Sequence, residues 1–245
     1  LCFHYSTTDR FDPYGPDVCC TTLDEMSPGT VHGIGMTSQR TRTRMIERLR
    51  EKGIRNESVL SAMSKVPRHV FVEEALASRA YEDTALPLGM GQTISQPFIV
   101  ARMIELLLNG RKTIGKTLEI GAGCGYQAAV LAQLSSEVYA IERLGPLLEK
   151  AKSHMRALQQ FNVRLKHADG QFGLPEAGPF DSIIVAAAGT QIPKALLEQL
   201  SLGGRLVLPV GTTEQYLCFI EHTPQGFVET RLDAVRFVPL LAGMQ

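Results

Sequence analysis

Thr117-Leu118-Glu119-Ile120-Gly121-Ala122-Gly123-Cys124-Gly125-Tyr126 is the stretch from which the fold is read. Residues 117–120 read as a short strand, and 126–134 carry helical periodicity. A glycine turn from strand to helix lets a ligand come close to the backbone, and in open α/β sheets ligands bind at this carboxyl end. The spacing discriminates among ligands. A dinucleotide fingerprint is G-x-G-x-x-G, whereas Gly121, Gly123 and Gly125 make G-x-G-x-G and position 126 is Tyr. A pyrophosphate is therefore disfavoured. Glu119, just ahead of the first glycine, suits a ligand with an ammonium group. S-adenosylmethionine, with an amino-acid end, a sulfonium and no phosphate, fits that description. The alternative at this point is a tight turn that binds nothing.

Working outward, strands are expected at 137–141, 163–167, 182–188 and 205–210, with helices at 147–160 and 192–200. The 182–188 run is nearly all apolar, as a strand buried on both faces should be. Two further strands, 216–222 and 234–239, follow with Gly226 at their connection. Strand–helix alternation implies an α/β fold with a doubly wound, mostly parallel sheet, and the final pair implies an antiparallel edge. Glu142 ends the second strand twenty-one positions after Gly121, a placement that suits ribose hydroxyls. Asp169 and Gly170 close the third strand; Asp169 could reach an adenine edge, although turn chemistry explains the pair almost as well.

Upstream, Pro97 stands where a helix accepts its first residue, and Val100, Met103, Ile104, Leu107 and Leu108 follow at helical spacing. Ahead of it, Gly89-Met90-Gly91-Gln92-Thr93-Ile94-Ser95-Gln96 forms a loop. Ser95 could cap the helix, or a substrate carboxylate could dock against its hydroxyl and the N-terminal amides. Met45, Ile46, Leu49 and Ile54 fit a short helix ended by Gly53, and Asn56 can cap a second that carries Val59, Leu60 and Met63 and stops before Pro67. Residues 71–77 suggest another short helical turn. Residues 1–38, rich in Pro, Gly, Ser, Thr and Asp without apolar periodicity, read as a disordered extension. The expected organisation is thus one domain over 39–245, with a helical lead-in and substrate loop over 39–96 and a cofactor-binding core over 97–245.

Composition bounds the function. Lys plus Arg equals Asp plus Glu, at 25 each, which argues against a dedicated nucleic-acid binder. No apolar run approaches the roughly 18 residues of a membrane span, and the N-terminus lacks the apolar core of a signal peptide. Five cysteines without C-x-x-C argue against a disulfide framework or a zinc site and point to the cytoplasm. No metal-binding motif occurs, and His69 and His167 read as structural. No membrane or nucleic-acid partner is expected, and a monomer is.

The loop at 89–97, the L-E-I-G-A-G-C-G-Y stretch, Leu208-Pro209-Val210-Gly211 and the V-R-F-V-P-L segment at 235–240 resemble the protein-L-isoaspartate O-methyltransferases, in that family's order from about residue 36 onward. The resemblance implies a Rossmann-like methyltransferase fold, S-adenosylmethionine as cofactor, and methylation of the free α-carboxylate of L-isoaspartyl residues in damaged proteins. It implies Ser95 as the active-site serine and Glu119, Gly121, Gly123, Gly125, Glu142, Asp169 and Gly170 as cofactor contacts. Ala187-Ala188-Gly189-Thr190 departs from the proline-containing sequence of the family. The rival readings are a methyltransferase with another substrate, a nicotinamide oxidoreductase on the same sheet, and a module that binds the cofactor without turnover.

Overall fold

A computed structural model of the chain describes residues 35–245. The extension expected over 1–38 therefore lies largely outside the described residues. Within them, Gly35–Thr37 form a 3-10 turn and Ser38 is the N-cap of the first helix.

The lead-in begins with α1 (Gln39–Glu51), which buries Met45, Ile46 and Leu49 on one face. In α2 (Glu57–Lys65) the Asn56 side chain accepts hydrogen bonds from the Ser58 and Val59 amides at 3.0 and 3.3 Å, the cap its sequence position forecast. Two 3-10 turns follow, Arg68–Phe71 and Glu74–Arg79. The glycine-rich loop then proves to be an antiparallel hairpin, β1 (Leu86–Gly89) with β2 (Gln92–Ile94), which glycine content had hidden in the sequence. Met90 and Gly91 at its tip both have positive φ, as a tight two-residue turn demands. The hairpin feeds α3 (Pro97–Leu108), with Pro at its first position.

The core alternates β3 (Gly115–Ile120), α4 (Tyr126–Leu131), β4 (Ser135–Glu142), α5 (Gly145–Ala157), β5 (Val163–His167), β6 (Phe180–Val185), α6 (Lys194–Glu198) and β7 (Leu200–Gly211). β8 (Gln215–Thr223) and β9 (Gly226–Val235) complete a seven-stranded sheet of order β5-β4-β3-β6-β7-β8-β9. Strands β3 to β7 pair in parallel, and β8 and β9 are antiparallel. This is the doubly wound sheet with an antiparallel edge that the alternation implied.

One strand is corrected. The last strand was expected at 234–239, but it runs from Gly226 to Val235, with Gly226 at its start. Residues 236–240 instead leave the sheet. The Phe237 amide donates to Gln215 Oε1 at 2.7 Å, and the segment then bonds Ala188, whose amide donates to Val238 O at 2.7 Å. A side chain supplies what a neighbouring strand would have supplied, which a one-dimensional apolar pattern cannot reveal.

Alternate residues of the central strands face two apolar layers. Ile184 and Val207 pack with α1 to α5, while Ile183, Val185, Leu206 and Leu208 pack with Leu196 of α6 on the other side. Each such fully buried side chain contributes about 1.5–3 kcal/mol relative to exposure.

Candidate active site

β3 is flanked by β4, which follows it in the chain, and by β6, which the chain reaches by crossing over from β5. The helices diverge at this switch point and leave a crevice beyond the strands' carboxyl ends. It is a cleft, partly open to solvent, walled by the β1–β2 hairpin, the glycine loop, the end of β4 and residues 238–241. Ser95, Glu119, Gly121, Gly123, Glu142 and Gly170 line it; Gly125 and Asp169 do not.

All three loop glycines have positive φ, at 84°, 55° and 88°. A Cβ on Gly123 would make only ordinary contact with Leu88 of the hairpin, at 3.6 Å, so the positive φ is what calls for glycine there. Gly125 turns away from the cleft and packs on α5, where an added Cβ would stand 3.0 Å from Met155 Cε. A Cβ on Gly170 would run into Ile120 Cγ2, so a side chain there would push on the floor of the site. The loop's amides are largely spent within the protein. Gly121 and Ala122 donate to Ile141 O, Gly123 donates to Glu142 Oε2 at 2.8 Å, and Gly125 donates to Ala122 O. A phosphate would find few free donors here.

Two carboxylates face the cleft instead. Glu119 is fully buried. Its Oε1 accepts from Gln127 Nε2 at 3.0 Å, and its Oε2 has no hydrogen-bond partner. Burial pushes its carboxyl up to about 8, with Gln127 opposing and the Glu142 charge adding to the rise. Glu142 accepts from the Gly123 and Leu144 amides at 2.8 and 3.0 Å, and each oxygen keeps a lone pair for a further donor. Such a site favours an ammonium group and hydroxyls over an anion.

Asp169 is placed otherwise. Its Oδ1 accepts from the Gln171 amide at 2.9 Å, the turn chemistry that was the alternative reading, and its Oδ2 accepts from the distant Gly243 amide at 2.6 Å. His69 pairs with the Tyr81 hydroxyl at 2.8 Å and His167 with Arg143 O at 2.9 Å.

Ser95 sits between β2 and α3 at the seam of two clefts. It lines the one described and also a groove beside it. It is not the cap of α3: the N-cap is Gln96, and the Ser95 hydroxyl bonds no other described residue. The N-terminus of α3 does not await a substrate anion either, because Asp83 is already there. Asp83 Oδ1 accepts from the Phe98 amide at 2.9 Å, while Oδ2 accepts from Gln96 Nε2 at 3.0 Å and Lys52 Nζ at 2.6 Å. Burial raises the Asp83 carboxyl, but Lys52, the Phe98 amide and Gln96 outweigh it and hold the group below the usual range.

Sequence reasoning missed Asp83, Gln127 and Arg68. Gln127 had a visible signal, a polar residue on the buried face of α4 eight positions after Glu119. Arg68 is fully buried; it donates to Ala80 O at 2.8 Å and lies 4.7 Å from the ring centroid of Tyr126, which ties the lead-in to the loop's helix. Nothing local in the sequence pairs Arg68 with Tyr126.

A family model for protein-L-isoaspartate(D-aspartate) O-methyltransferase matches residues 40–245. The chain belongs to this family. It is 86% identical over 215 residues to the protein-L-isoaspartate O-methyltransferase of Dechloromonas aromatica, covering 88% of this chain and 100% of that relative. The enzyme of the same name from Nitrosomonas eutropha is 63% identical over 212 residues, covering 86% of this chain and 96% of the relative. Among solved structures, a Plasmodium falciparum protein described as a member of the same family, in complex with S-adenosyl-L-homocysteine, superposes with a TM-score of 0.73 at 26% identity, over 82% of this chain and 98% of that one. Another solved protein-L-isoaspartate O-methyltransferase gives 0.75 at 27% identity, over 83% and 67% of the two chains.

Proposed function

We propose that this family member transfers a methyl group from S-adenosylmethionine to the free α-carboxylate of L-isoaspartyl residues in damaged proteins and peptides, the first step of their repair. The observation that carries the cofactor assignment is Glu119, a buried group with an unpartnered oxygen that lines a cleft whose loop amides are already engaged. An ammonium group satisfies it; a pyrophosphate, and with it a nicotinamide oxidoreductase, does not. When bound, S-adenosylmethionine supplies an electrophilic methyl on a sulfonium.

The chain's residues supply the rest. Glu119 would hold the amino-acid end and Glu142 the ribose hydroxyls. Gly121 and Gly123 line the approach, and Gly170 does the same on the adenine side. Asp169 would join them only by giving up its bond to the Gly243 amide. A substrate carboxylate is ionised near pH 7, so no strong base is needed. We assign Ser95 the task of donating a hydrogen bond to that carboxylate and orienting it at the seam of the two clefts, since alignment is the main demand of a displacement at carbon.

The proposed organisation is a lead-in and substrate loop over 39–96 and a cofactor core over 97–245. We place the enzyme in the cytoplasm on the strength of its odd cysteine count and the free thiols of Cys124 and Cys218. No described helix is long and apolar enough to cross a membrane. A monomer is proposed because the open edge strand β9 exposes Glu229, Arg231 and Asp233, charges that discourage pairing with another strand. The test is a methyl-transfer assay with an isoaspartyl peptide, its aspartyl twin and tRNA. Only the isoaspartyl peptide should be labelled; equal labelling of both peptides would remove the repair assignment.

A further inference from the structure

The groove beside the cofactor cleft shares Thr93, Ser95, Ala186 and Val238 with it, which gives a peptide a path to Ser95. The substrate brings a carboxylate, yet the cations around the site are spoken for. Lys52 is held by Asp83 at 2.6 Å, Arg102 by Glu105 and Asp233 at 3.4 and 3.7 Å, and Arg231 lies over the Tyr216 ring at 4.0 Å. The α3 N-terminus is filled by Asp83.

Among the described residues one charged side chain lines the groove, Arg236, and it forms no hydrogen bond or ion pair with another described residue. It is exposed, but its backbone is fixed. Phe237 next to it is clamped through both its amide and its carbonyl by Gln215, at 2.7 and 3.1 Å, and Val238 accepts from the Ala188 amide at 2.7 Å. The guanidinium thus springs from an anchored point on the groove wall with its donors unused.

We propose that Arg236 reads charge next to the damaged residue and favours substrates with an acidic side chain immediately before or after the isoaspartyl position. This rests on the functional reading above. Extended peptides advance about 3.4 Å per residue, so the immediate neighbours of a residue at Ser95 fall within the same groove. A guanidinium fork matches a carboxylate in shape as well as in charge. At an exposed site such a pair is worth roughly a 2- to 5-fold preference.

The test compares kcat/KM for isoaspartyl peptides carrying Glu, Gln or Lys on either flank, with the wild type, Arg236→Gln and Arg236→Glu, at low and high salt. S-adenosylhomocysteine affinity by calorimetry serves as the check on folding. The expected result is a wild-type preference for Glu over Gln of roughly 2- to 5-fold that salt weakens. It should fall to about one in Arg236→Gln, and Arg236→Glu should prefer Lys. Equal wild-type rates for the Glu and Gln peptides, or a preference that survives in Arg236→Gln, would overturn the proposal while leaving the functional reading intact. Failure to methylate any isoaspartyl peptide would overturn that reading and this inference with it.

Discussion

The Ser95 hydroxyl bonds nothing else in the described protein, so its removal separates catalysis from stability. Ser95→Ala should lower kcat on the order of 100-fold, the cost of losing one positioned donor, while the melting temperature moves by about 1–2 °C or less. A large drop in melting temperature with turnover unchanged would return Ser95 to a structural role. Glu119 makes a different prediction. With its carboxyl pushed up to about 8, it is mostly protonated at pH 7 in the free protein, and a ligand ammonium favours the ionised form. Binding of S-adenosylhomocysteine at pH 7 should therefore release close to one proton, seen as a buffer-dependent binding enthalpy, and Glu119→Gln should abolish the release. Because the folded value lies above the ordinary 4.5, the free protein should also lose stability as pH climbs from about 4.5 to 8, and Glu119→Gln should flatten that slope. The place of Glu119 beside the glycine loop was legible because the two are adjacent in sequence. The bond that Asp169 accepts from the Gly243 amide was not, because that amide is far away in sequence.

At the scale of elements, α3 is capped from outside itself. Asp83 supplies the bond to Phe98 that a residue at the helix boundary would ordinarily supply. Asp83→Ala should cost about 1–2 kcal/mol in urea unfolding at neutral pH, a typical cap penalty. The Asp83 carboxyl is held below its ordinary value of 3.8, so its contribution is present above that pH and is lost as pH falls through the lower folded value. Wild type and variant should therefore converge in acid; a gap of undiminished size there would show that the carboxylate charge is not what matters. The elements themselves were mostly readable from periodicity and punctuation: Asn56 before α2, Pro97 opening α3, glycines after β3. The misplaced last strand shows where that ends. Residues 226–235 mix charged and apolar residues on an exposed edge, and the more apolar 234–239 looked better as a strand until the Gln215 side chain took its hydrogen bonds.

For the whole molecule, a single apolar cluster runs from Met45 of α1 through α3 and α4 to Val207 and Leu217 of the sheet. The lead-in is thus not a separately folding unit, and unfolding should be one transition, coincident by far- and near-ultraviolet dichroism. S-adenosylhomocysteine at about 100 times its dissociation constant should raise the stability of that transition by about 2.7 kcal/mol. Two separated transitions, with the ligand moving only one, would divide the domain at the hairpin. The doubly wound architecture was readable from sequence because each strand–helix pair is contiguous. The cleft's far wall was not, since Val238 to Leu241 arrive there only after the chain has crossed the entire sheet. That wall has a consequence for biosynthesis. The glycine loop and Glu142 emerge from the ribosome well before residues 238–241, so a nascent polypeptide holds half a binding site over the stretch of translation between them. Capture of the methyl donor must wait until the closing segment has been made and has settled against Ala188.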